Sequence, residues 1–220
     1  MLGLHALGLS PESVLFIEMI LVCSALFAIF GGEKEDRSSK AVVWSFGIIA
    51  ALALGRIILG PIPNVQPVTI GLLLVGAIYG IRKGIGIAIL VTILSNFYLG
   101  SGMWTFFQAG GWSIVTVGGC IAANQFIKDE KLMIGRLMIA GVIAAFVFNY
   151  IVSLSVLIAD PSLGVLIAYL ITGLPFDLLH AAGNMVIAIT LGPSMHNMLS
   201  RSLSPTNLTI RSSSNESRVE

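Results

Sequence analysis

The chain has 220 residues, of which 56% are hydrophobic and only 10% are charged, with a formal net charge of +1 and a mean hydropathy of +0.95. Soluble domains carry roughly 25% charged residues, so these charges cannot cover a soluble surface, and lipid must solvate much of the exterior. The near-neutral balance leaves no electrostatic footprint for nucleic acid.

Backbone groups in lipid must be bonded internally, and the apolar runs are too long for barrel strands, so an all-α membrane protein is predicted. The first run, 14–30, has no basic stretch before it and no small-residue cleavage site after it, so it reads as a retained helix. It carries Glu18 and Cys23; Cys23 and Cys120 both sit in apolar runs and read as small hydrophobes rather than a redox pair. Six further spans follow at 41–59, 67–82, 84–98, 108–127, 133–156 and 174–193. The third and fourth spans, about 16 residues each, reach roughly 24 Å, less than the ~30 Å hydrocarbon core. One or both must end below a surface or be extended by adjacent loops. The apolar run 162–172 ends at Gly173-Leu174-Pro175, where a proline is expected to break the helix and leave a separate short or re-entrant piece. From Ser194 onward the chain is Ser- and Asn-rich and reads as a disordered tail. Its sequons at Asn207 and Asn215 read as chance.

Basic loop residues set the expected orientation. Lys34, Arg37, Lys40, Arg82, Lys83, Lys128, Lys131, Arg136, Arg201, Arg211 and Arg218 fall on one side of a seven-span alternation, and only Arg56 lies near the other. The first side is assigned to the cytoplasm, with the N-terminus outside and the C-terminus inside.

The opposite connections hold the unusual polar residues. One is Gly60-Pro61-Ile62-Pro63-Asn64-Val65-Gln66-Pro67, stiffened by three prolines. The next runs from Asn96 through Trp104 and Gln108 to Trp112, and the third leads into Asp177, His180 and Asn184. Each has an ordinary reading. Trp104, Phe106, Phe107 and Trp112 suit an interfacial aromatic belt, Asn64 and Gln66 suit a turn, and Asn96 suits a helix end. Asp177, His180 and Asn184 are spaced i, i+3, i+7, which places them on one helical face. An ionisable group in a span costs about 2.5–3.5 kcal/mol on insertion scales and usually faces a cavity or partner. Their ordinary reading is an Asp–His pair that ties helices together. Arg56 either snorkels, neutralises Asp177 or meets an anionic group of a substrate. Together these residues outline an outward-facing pocket with aromatic walls and amide hydrogen bonders, suited to a small, flat, polar-edged molecule. In the second span Gly47, Ala51 and Gly55 recur at i+4, a spacing that admits close approach of another helix, internal or from a partner.

No P-loop, G-x-S-x-G or H-E-x-x-H motif occurs, two ligands alone do not make a metal site, and no catalytic residues are assigned.

The motifs Gly55-Arg56 with Pro61-x-Pro63-Asn64-Val65-Gln66-Pro67-Val68-Thr69, Gly100-x-Gly102-x-Trp104-Thr105-x-x-Gln108, and Gly173-Leu174-Pro175-Phe176-Asp177-x-x-His180-x-x-x-Asn184 resemble the substrate-binding membrane subunits (S components) of energy-coupling factor transporters. The resemblance covers about 41–200. It implies a six-helix substrate-binding membrane domain over 41–200, preceded by an extra transmembrane helix and cytoplasmic loop over 1–40 and followed by a cytoplasmic tail over 201–220. It also implies residence in a prokaryotic cell membrane and capture of a vitamin-like micronutrient from outside. The loop pattern resembles the cobalamin-type subset, so cobalamin is the first expected substrate. The resemblance further implies a transmembrane coupling subunit contacted by the small-residue stripe Gly47, Ala51 and Gly55, and two partner ATPases that use ATP; this chain itself needs no cofactor. The competing expectations are a stand-alone proton-coupled carrier using Glu18 or Asp177, and a membrane enzyme built on Asp177 and His180, with Ser95 or Ser101 as a conceivable nucleophile.

Overall fold

The computed structural model describes residues 11–31 and 39–201. Lys34, Arg37, Arg211, Arg218, both sequons and the expected tail beyond Arg201 lie outside the described residues. The elements in chain order are α1 (Pro11–Phe30), α2 (Ser39–Ile58), α3 (Val68–Tyr79), α4 (Ile81–Leu99), α5 (Trp104–Ile121), α6 (Ala123–Phe126), β1 (Ile127–Lys128), β2 (Lys131–Leu132), α7 (Ile134–Ser153), α8 (Val156–Ala159), α9 (Leu163–Thr190) and α10 (Gly192–Arg201). The protein is an all-α membrane protein. Among the described residues, five stretches are long and apolar enough to cross a bilayer: α1, α2, α4, α7 continued through α8, and α9.

The short helix α3 organises the bundle. It has 12 residues, about 18 Å, and residues 68–78 are all buried. A helix that is apolar on every face belongs in an interior, and α2, α4, α5, α7, α9 and α10 all pack around this one. The contact with α5 is especially close: a Cβ on Gly76 would strike the Thr116 carbonyl, and one on Gly119 would strike the Leu73 carbonyl. Only glycines permit that approach. A single residue, Gly80, reverses the chain into α4 at φ 81° and ψ 179°, a conformation that side-chain-bearing residues rarely adopt. Arg82 and Lys83 therefore lie in the first turn of α4 rather than in a loop.

Two expectations require correction. The chain does not break at Pro175, because α9 runs unbroken for 28 residues through that proline. Proline removes one donor, whereas ending the helix among lipid tails would orphan several backbone groups at several kcal/mol each. Nor does disorder begin at Ser194. Residues 192–201 form α10, which packs on α3 and α9 and buries His196 and Leu199.

The two ends of the bundle differ in chemistry. Lys40, Arg82, Lys83, Arg136 and Arg201 lie at helix termini of one end, joined by the β1–β2 hairpin with Lys128 and Lys131. That hairpin turns through Asp129 and Glu130, both at positive φ, as a two-residue loop between twisted strands requires. At the other end the 60–67 loop and the 100–103 connection bring polar side chains inward. The helix α1 lies outside this arrangement, packed along α4 where Gly86 meets Ala25 and Ile29.

Candidate ligand-binding cluster

The end of α2, the start of α3, the end of α4, the start of α5 and the facing parts of α7 and α9 converge at the loop-rich end of the bundle. Arg56 is at the centre of one half of the cluster. It does not snorkel: it is only 7% exposed. Its Nε donates to Gln66 Oε1 at 2.9 Å, and its Nη1 donates to Ser95 Oγ and Asn96 Oδ1, both at 2.6 Å. Asn96 Nδ2 then donates to Thr105 Oγ1 at 3.0 Å and to Gln108 Oε1 at 2.8 Å. Backbone geometry makes this possible, because Ser95 and Asn96 fall in the last two turns of α4 while Thr105 and Gln108 share one face of the first two turns of α5.

The other half surrounds His180, which is fully buried. Its Nε2 lies 2.9 Å from Thr69 Oγ1 and its Nδ1 lies 3.4 Å from Asn149 Oδ1. An amide oxygen only accepts, so Nδ1 carries the proton and Nε2 accepts from the Thr69 hydroxyl. The Asp177 carboxylate approaches the Asn149 side chain, yet the Asn149 amide nitrogen closes no hydrogen bond. Asp177 is half-buried, and His180 and Asn184 are buried, so the i, i+3, i+7 stripe does face inward.

An aromatic column joins the halves. The guanidinium of Arg56 lies 4.8 Å from the centre of the Trp112 ring. Trp112 stacks on Phe148 at 4.6 Å, and Phe148 meets the His180 ring edge-on at 5.7 Å. Trp112 is completely buried, so it is an internal strut of the cluster and not a belt residue.

The remaining candidates are placed differently. Asn64, at φ 58°, donates to the Phe176 carbonyl at 3.2 Å and ties its loop to α9 beside the proline. Asn184 donates to the Gly141 carbonyl at 2.9 Å and joins α9 to α7. Trp104 folds its ring over Gly102. Gly47 and Ala51 are exposed on α2, with open space around a Cβ built on Gly47, whereas a Cβ on Gly55 would lie 2.6 Å from Pro67. The expected three-residue stripe is therefore divided: two members face outward and one is an internal contact. Ser95 donates to the Val91 carbonyl and His180 bonds Thr69 and Asn149, so the Ser95–His180 pairing of the enzyme alternative is not formed. Among the described residues no group of three His, Cys, Asp or Glu side chains converges.

Sequence reasoning alone misses Phe148 and Asn149 in this cluster. Asn149 carries a usable signal, because it is a lone amide within the apolar run of α7, the same warrant that singles out Asn184.

Three buried polar atoms in this region make no hydrogen bond: Trp112 Nε1, Asn149 Nδ2 and Asn184 Oδ1. Buried polar groups are nearly always satisfied, so these unbonded donors and this acceptor make the cluster an unusual interior, with Asp177 the group closest to completing the Asn149 amide.

Residues 36–204 match the model of a family described as "Family of unknown function (DUF6580)". No curated protein matches the chain, and no solved structure matches it. The match takes in every helix that contributes to the cluster and leaves out α1: the chain belongs to this family of unknown function.

Proposed function

We propose that this protein is the substrate-binding membrane subunit of an ATP-driven importer of the energy-coupling factor type, capturing a vitamin-like micronutrient from outside the cell. The observation that carries this reading is the buried cluster around Arg56 and His180, built by six helices at one end of an apolar bundle and left with unsatisfied donors and an acceptor. Maintaining such polarity inside a membrane protein is costly, and it marks a ligand or ion site by default. The motif resemblance makes cobalamin or a related compound the first substrate to test. The opposite, lysine- and arginine-rich end then faces the cytoplasm. Gly47 and Ala51, exposed on α2, are the surface for a transmembrane coupling subunit, which two ATPases drive.

The test is reconstitution. The chain purified alone should retain or bind its micronutrient, identified by mass spectrometry of the extracted protein, and should transport it only when a coupling subunit and ATPases are present. Uptake by the chain alone in liposomes, driven by a proton gradient, would instead establish a carrier. That second reading draws on Glu18, whose buried Oε1 has no hydrogen-bond partner.

A further inference from the structure

The donors of Arg56 are unevenly used. The Nε hydrogen and both Nη1 hydrogens are taken by Gln66, Ser95 and Asn96, and the cation rests over the Trp112 ring. Every one of these partners is electrically neutral. Nη2 makes no hydrogen bond, and it is not among the atoms sealed from solvent. Asp177, the acidic residue of the His180 half, approaches Asn149 instead. Among the described residues, the cluster thus holds a cation that is more than nine-tenths buried, fixed in one orientation, with one amino group unbonded and no negative charge paired with it.

Neutral acceptors are already plentiful around this guanidinium, so another would add little. What the arrangement lacks is a compensating charge. Taking the cluster as a ligand site, as proposed above, we infer that the Arg56 Nη2 group is the docking point for an oxyanion of the captured molecule, a carboxylate or a phosphate. The contact is an end-on one from a single amino group, because Nη1 has no hydrogen left for a two-pronged grip. Clamping by Gln66, Ser95 and Asn96 orders the side chain before the ligand arrives, which lowers the entropic cost of binding.

The oxyanion has two possible sources, a soluble small molecule or an anionic lipid headgroup, and one experiment separates them. The tryptophan fluorescence of the otherwise unaltered full chain is the optical reporter, because Trp112 lies under the Arg56 cation. The chain is titrated in phosphatidylcholine nanodiscs with sodium benzoate and sodium phosphate, with benzamide as the neutral counterpart of benzoate and chloride holding ionic strength constant. A saturable change with benzoate or phosphate, absent with benzamide and chloride, is the expected result. Its apparent affinity should fall about tenfold or more in Arg56→Gln and be partly kept in Arg56→Lys. A signal already saturated in nanodiscs containing phosphatidylglycerol, but not in phosphatidylcholine alone, assigns the oxyanion to the lipid. Should Arg56→Gln fail to fold, the benzoate–benzamide contrast in the Arg56 chain carries the test. No saturable response to either oxyanion, or an equal response in Arg56→Gln, overturns the inference. If that negative result comes with a neutral small molecule co-purifying with the chain, the ligand-site reading stands and only the oxyanion falls. If nothing co-purifies, both fall.

Discussion

Arg56 and Asn96, forty residues apart in sequence, share a 2.6 Å hydrogen bond in the interior of the bundle. Asn96 is the hub of its half of the cluster, because its oxygen accepts from α2 while its nitrogen donates twice to α5. Replacing it with leucine, similar in volume, removes all three bonds and leaves the buried guanidinium with one acceptor fewer. Asn96→Leu should lower stability by about 1–3 kcal/mol or more and weaken ligand binding. Thermal melting of the purified chain with and without ligand checks both.

The divided stripe on α2 gives a paired prediction. Gly47→Leu adds a side chain where nothing lies within 4 Å of the Cβ. It should leave melting and ligand binding unchanged while blocking ATP-dependent uptake, because only an approaching partner helix is displaced. Gly55→Leu forces a side chain into Pro67 and should destabilise the fold by about 1–3 kcal/mol. If Gly47→Leu supports full uptake in the reconstituted complex, that face of α2 is not the coupling surface.

Much of the cluster is legible in the amino-acid sequence. Helical period places Asp177, His180 and Asn184 on one face, and the density of amides marks the 60–67 loop and the start of α5. Pairing is not legible there. Nothing local says that Gln66 and Asn96 both accept from Arg56, since that depends on how α3 folds back and on its glycine-mediated approach to α5. Pro175 departs from expectation because a proline's local rule assumes water, and lipid changes the balance: with no water to receive freed carbonyls, the helix continues. The residues after Gly192 depart for the opposite reason. Their composition is polar, but the spacing of His196 and Leu199 gives α10 one face that packs on the bundle.

The α3–α5 crossing should be the least tolerant contact in the fold. A methyl group on Gly76 meets backbone, the Thr116 carbonyl and the Cys120 nitrogen, and not a flexible side-chain end. Gly76→Ala should therefore cost about 1–3 kcal/mol or more, although alanine is the better helix former. Gly118→Ala, on the same helix pair but with open space around its Cβ, should be neutral or slightly stabilising. Parallel thermal melts of the two variants decide the matter; equal behaviour would mean that α3 and α5 separate easily.

The docking of α10 should respond to acid. His196 is 7% exposed, and burial pushes its imidazole below the ordinary value of 6.5, outweighing a hydrogen bond to Asn197 that acts in the other direction. The packed helix thus binds fewer protons than the released one as pH falls below about 6.5. Stability then rises with pH across that window and is level above it, where both states are neutral. Melting should be unchanged from pH 8 down to about 7 and decline at lower pH, and protease cleavage at Arg201 should accelerate in the same range. His196→Gln removes the titration and should flatten both profiles. Acid sensitivity that persists in that variant would move its origin away from α10.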